Sequence, residues 1–156
     1  TGHAMIICEE MEADWSKVSV STGPFHKEYK RNMFVQSTGA TSGMSSWRKK
    51  LSEIGAGVKE MLIEAGAKEM KVKKVDCIAK NSLIIHKPSR RSARFGQIAK
   101  NASKLSFPGS PSLKNSSEYK LIGKSILRVD VPQKVNGEAL FAGDIKLYVV
   151  NSSSVG

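Results

Sequence analysis

The chain has 156 residues, 40% of them hydrophobic, and 25 Lys and Arg against 14 Asp and Glu give a net charge of +11. That is enough for one ordinary domain, or a small domain with part of a second, and the apolar content argues against a disordered tail. Apolar runs such as Ala4–Cys8 and Leu83–Ile85 fall far short of the roughly 20 residues needed to span a bilayer, and no export signal is readable at the start. The basic excess is spread along the chain, with local density at Lys68–Lys80 and Lys87–Arg94. No aromatic residues alternate with it as a stacking platform for nucleic acid would require, so a solvated basic surface is expected. Cys8 and Cys77 have no CxxC spacing; they cannot build a zinc or iron–sulfur site alone, and buried free thiols are expected.

In chain order, Thr1 to Trp15 reads as a helix, with Met5, Cys8 and Met11 at helical spacing and Glu9, Glu10 and Glu12 as the solvent-side complement. Val18–Ser21 alternates apolar and polar residues, as a half-buried strand does. Gly23 to Gly43 is loop-like. The clearest helix follows over 44–66, where Trp47, Leu51, Ile54, Val58, Met61, Leu62 and Ala65 keep helical spacing. Ser42 or Ser45 can cap it, and Glu64 and Lys68 form an i, i+4 pair. Gly55 and Gly57 each cost this helix about 1 kcal/mol of propensity, which implies close packing against another backbone or a ligand. Asp76–Ala79 and Ser82–His86 predict a hairpin turning at Lys80-Asn81. Phe95 to Ala102 predicts a short helix with Ser92 as its cap. Ser106–Ser117 is linker-like, and strands are expected at Leu121-Ile122, Ile126–Val129 and Ala139–Val150. The order implies an α+β fold.

The sharpest local feature is Gln36-Ser-Thr-Gly-Ala-Thr-Ser-Gly43, which feeds directly into the long helix. Small residues let a backbone approach a ligand closely, and free N–H groups at a helix start favour phosphate. The same composition also serves as a plain helix cap, and no Gly-Lys-Ser/Thr ending makes it a Walker loop. His3, His26 and His86 have no metal-ligand spacing, and Asp130, Glu138 and Asp144 have no evident acid–base partner.

Four stretches in order resemble one known family. They are residues 1–18; Gln36–Trp47 with Gly55–Leu62; the hairpin with Phe95-Gly-Gln-Ile-Ala99; and Tyr119–Lys124 with Arg128–Gly137 and Phe141–Ile145. Together they are similar to the molybdopterin-binding large subunit of the xanthine dehydrogenase and aldehyde oxidase superfamily, in its isoquinoline 1-oxidoreductase β-subunit branch. The resemblance implies a partial molybdenum-cofactor-binding domain over 1–105, a linker over 106–118, and the start of an α/β hammerhead domain over 119–156. It places Gln36, Thr38, Gly39, Ala40, Thr41 and Ser42 beside a molybdopterin dinucleotide.

Gly39-Ala40-Thr41 stands where the family tends to have Gly-Gly-Ser, and the end from Tyr148 departs from the usual Pro-Gly-Met-Leu. The Gly-Gln-Gly loop and the segment bearing the catalytic glutamate have no counterpart. The resemblance therefore implies a piece of a molybdenum hydroxylase that oxidises N-heterocycles or aldehydes. No catalytic or metal-ligating residue of its own is expected, nor is retention of the cofactor by this piece. Its implied partners are the remainder of the large subunit and an iron–sulfur small subunit, in the cytoplasm or the periplasm. The competing reading is a small basic module binding nucleic acid or an acidic protein, supported by charge alone, with nucleic acid the less expected of the two.

Overall fold

A computed structural model describes residues 1–21, 23–29, 36 and 42–146. They divide into two compact units, Thr1–Ile126 and Leu127–Gly156. The first unit contains helix α1 (Gly2–Met11), helix α2 (Ser42–Met70), strands β1 (Cys77–Lys80), β2 (Leu83–His86) and β3 (Ser92–Arg94), and helix α3 (Phe95–Ala102). Helices set beside a small antiparallel sheet of order β1-β2-β3 make this an α+β fold, as expected.

The sheet presents Cys77, Ala79, Ile84 and Ala93 on one face, because paired residues share a face and successive residues alternate. That face packs with Leu62, Ala65, Ala67 and Met70 of α2 and with Ile98 and Ala102 of α3 to form the core. β3 was not expected. Ser92, read as a helix cap, lies in this strand, and α3 is instead entered from Arg94, whose N–H donates to Gln97 Oε1 at 2.9 Å. The hairpin turn sits one residue later than predicted, at Asn81-Ser82, with φ of 49° and 60°. A two-residue loop with both φ positive matches strand twist, and Lys80 remains in the ladder opposite Leu83.

α1 runs beside the first half of α2. His3 Nε2 lies 3.0 Å from Gly43 O, and Gly55 abuts Ile7 and Glu10, so the two helices ascend together. The contact explains the glycines. A Cβ on Gly55 would stand 2.8 Å from both Glu10 Cβ and Ile7 O, and one on Gly57 would collide with the Phe107 ring. The deepest part of α2 here is thus Ser52, Gly55, Ala56 and Gly57, while Leu51, Ile54 and Val58 are only half-buried. Small residues win the inner position because two backbones approach there.

α1 stops at Met11, four residues short of the expected Trp15, because Glu12 turns left-handed at φ 58° and the N–H groups beyond return to Cys8 O and Glu9 O. Trp15–Lys17 forms a 3-10 turn, and 18–21 joins no sheet. α2 extends to Met70, and Arg91 Nη2 donates to Met70 O at 2.8 Å, satisfying a terminal carbonyl with a cation at the negative helix end. Lys71 follows at φ 54°, a conformation that suits glycine, with Val72 N donating to Ala67 O. Lys71→Gly is accordingly expected to stabilise the protein by about 0.5–1 kcal/mol, read as a rise in the urea midpoint at unchanged slope.

The strands expected at 121–122 and 126–129 are absent, and 139–146 contains only the 3-10 turn Ala142–Asp144; residues 147–150 lie outside the described ones. β-propensity needs a strand to pair with, and among the described residues these segments have none. In the second unit, helix α4 (Val131–Val135) carries a Pro at its start, and Asp130 is flanked by Arg128 at 2.7 Å and Lys134 at 2.6 Å. The hydrogen bonds from Arg128 and then Lys134 hold the Asp130 carboxyl well below the usual carboxylate range.

Candidate functional site

The loop predicted to face a cofactor leads into α2 at Ser42. Of its six singled-out residues, Gln36 and Ser42 are described; Thr38, Gly39, Ala40 and Thr41 lie outside the described residues. Gln36 spends both ends of its amide on the preceding loop: Oε1 accepts from His26 N at 2.9 Å and Nε2 donates to Pro24 O at 3.0 Å. The arrangement gathers His26, whose ring meets Tyr29 edge-on at 5.8 Å, against Gln36. Gln36 is thereby tied to the Pro24–His26 segment.

Ser42 is brought to the start of α1. Gly2 faces Met44 so closely that a Cβ there would lie 2.9 Å from its Sδ and Cε, and His3 reaches Gly43 O. Two helix N-termini consequently share one end of the unit. Each carries the positive end of a helix dipole, a setting that suits an anionic group. Periodicity could locate each helix, but not their adjacency, which depends on the packing at Gly55.

A second site was missed by sequence reasoning. Glu9 and Glu10, expected on the solvent side, are 2% and 1% exposed. Glu9 Oε2 accepts from the backbone amides of Lys120, Leu121 and Ile122 at 2.9, 2.6 and 3.1 Å, and Oε1 accepts from Lys114 Nζ at 2.8 Å. Glu10 Oε2 accepts from Lys114 N at 3.0 Å, and Glu12 pairs with both Lys114 and Lys120 at 2.6 Å. Burial alone would raise the Glu9 carboxyl, but the bonds from Lys114, Leu121, Ile122 and Lys120 together bring it below its ordinary value. Glu12 is likewise lowered against burial by Lys114 and Lys120. Lys114 is raised, the two glutamates outweighing its own burial.

A cavity of about 170 Å³ lies beside this cluster, lined by Cys8, Glu9, Glu12, Trp15, Lys114 and Lys120, among others. Both cysteines are buried and free, as expected, and burial pushes each thiol up, with Asp76 adding to the effect at Cys77. The expected Glu64–Lys68 pair is present at 2.7 Å. His86 Nδ1 lies 2.6 Å from Ser89 Oγ within its own turn. Among the described residues no group of His, Cys, Asp and Glu could hold a metal ion, and no helix is long and apolar enough to cross a membrane.

No family model matches the chain. It is 27% identical to the isoquinoline 1-oxidoreductase subunit beta of Brevundimonas diminuta, over 90% of the chain and 23% of that protein. It is 31% identical to the membrane-bound aldehyde dehydrogenase (pyrroloquinoline-quinone) of Gluconacetobacter polyoxogenes, over 94% of the chain and 19% of that protein. The chain is a distant relative of oxidoreductase subunits. It spans about a fifth of the length of these relatives.

Proposed function

We propose that the chain is a segment of the molybdenum-cofactor subunit of a molybdenum hydroxylase acting on N-heterocycles or aldehydes. The observation that carries this reading is likeness over nine-tenths of the chain to a protein named as an isoquinoline 1-oxidoreductase subunit. The name of the second relative supports the aldehyde side of the substrate class and mentions pyrroloquinoline quinone. The four ordered sequence stretches favour molybdopterin. When bound, such a cofactor supplies the redox centre at which oxygen derived from water reaches the substrate.

In this reading Gln36, Thr38, Gly39, Ala40, Thr41 and Ser42 lie against the dinucleotide. The paired starts of α1 and α2 bring the positive ends of two helix dipoles to its phosphates. The segment from Tyr119 onward belongs to the start of a hammerhead domain. The rest of the large subunit supplies the catalytic glutamate, and an iron–sulfur subunit receives the electrons.

Metal and cofactor analysis tests this on the protein that carries these residues, purified with its associated polypeptides. Molybdenum in amounts comparable with the polypeptide, together with an extractable pterin, is the expected result. Pyrroloquinoline quinone in place of molybdenum would overturn the reading.

A further inference from the structure

Residues 112–122 cross α1 as a strap, and their attachments share one chemistry. Among the described residues, every hydrogen bond from the strap to a helix ends on a carboxylate. Ser112 N donates to Glu60 Oε1 of α2 at 2.8 Å, Lys114 N to Glu10, and the amides of Lys120, Leu121 and Ile122 to Glu9. The two lysine side chains bind Glu9 and Glu12. Among the described residues, no backbone carbonyl of either helix accepts a bond from the strap. The core of sheet, α2 and α3, by contrast, is held by β-ladders and apolar side chains.

We propose that this strap is an acid-opened latch: loss of the glutamate charges frees 112–122 from α1 and uncovers the cavity beside Cys8, while the sheet–helix core stays folded. A protonated carboxyl still accepts hydrogen bonds, but it loses its ionic attraction to Lys114, whose side chain is 8% exposed and carries a charge that needs a counter-ion. The groups facing the latch are Glu9, Glu10 and Glu12 of α1, Lys114 and Lys120 of the strap, and Glu60 of α2. Asp14 of the following turn lines the same cavity, but it is occupied by Lys17 at 2.9 Å. Because the folded-state carboxyls of Glu9 and Glu12 sit below their ordinary values, their contribution is full above the unfolded value and is lost as pH falls through the folded one. Release therefore belongs to the acid side.

The two thiols make the test internal. Cys8 lines the cavity with Lys114, Lys120 and Leu121, whereas Cys77 lies in the core, so their relative reactivity separates strap opening from unfolding. The probe is 4,4′-dithiodipyridine, which labels thiols in acid, with labelling at each cysteine followed by peptide mass spectrometry between about pH 7 and about pH 2.5. The ratio of Cys8 to Cys77 labelling is expected to rise about tenfold or more on acidification, before helical circular dichroism is lost. Glu9→Gln is expected to raise the ratio similarly at neutral pH. Lys114→Met, which removes the cation and leaves the carboxylates, is the second variant and should do the same. If both thiols become reactive together, or Cys8 stays as protected as Cys77 until unfolding, the latch does not exist.

Discussion

Gly55→Val is expected to destabilise the first unit by about 3 kcal/mol, at the upper end of overpacking costs. The new side chain would begin 2.8 Å from Ile7 O and Glu10 Cβ and 3.3 Å from Ile7 Cα. Backbone atoms and a first side-chain carbon cannot rotate away, so α1 must retreat as a body, taking Glu9 and Glu12 with it. The gain in helix propensity from replacing glycine recovers only a few tenths of a kcal/mol. Gly57→Ala is the control. The three atoms nearest its Cβ all belong to the Phe107 ring, which is 50% exposed and can swing aside, so the loss should stay below about 1 kcal/mol. Urea midpoints of the two variants measure the difference. Equal, small losses would mean that α1 does not rest on α2 at this glycine.

Ile84→Ala should cost about 4 kcal/mol, towards the upper end of the range for buried Ile→Ala changes. Ile84 is fully buried at the centre of the sheet. Across the strands stand Ala79 and Ala93, and from α2 comes Gly66, whose missing Cβ would lie 2.9 Å from Ile84 Cβ and Cγ2. These three small residues have no side chain that could rotate into the gap, so much of the cavity persists. The measurement is chemical unfolding at constant slope. A loss near 1 kcal/mol would mean that the helices close over the gap.

The candidate cofactor loop and the latch differ in how far the sequence could reveal them. The run Gln36–Gly43 before an apolar stripe is a local signal, readable because small residues and a helix start act within a few positions of each other. The latch joins Glu9 to Lys114 and to the amides of 120–122, more than a hundred residues apart. Nothing near Glu9 distinguishes it from a solvent-side glutamate; only the path of the strap buries it. The same gap explains the missing strands at 121–122 and 126–129. Their residues favour extended chain, yet the amides of Leu121 and Ile122 go to a carboxylate, and among the described residues no strand pairs with them.

By itself the sequence determined what local spacing determines. It located the cores of α1, α2 and α3, the two strands of the hairpin, the free buried cysteines, the Glu64–Lys68 pair, and the demand for close contact at Gly55 and Gly57. Each follows from side-chain period or residue size over a few turns. The tertiary structure alone decided which helix fills the glycine groove, that two helix N-termini share an end, that β3 completes the sheet, and that the acidic side of α1 faces inward. These depend on residues distant in sequence meeting in space. A buried carboxylate is tolerable only where the far part of the chain brings a lysine and three amides to it.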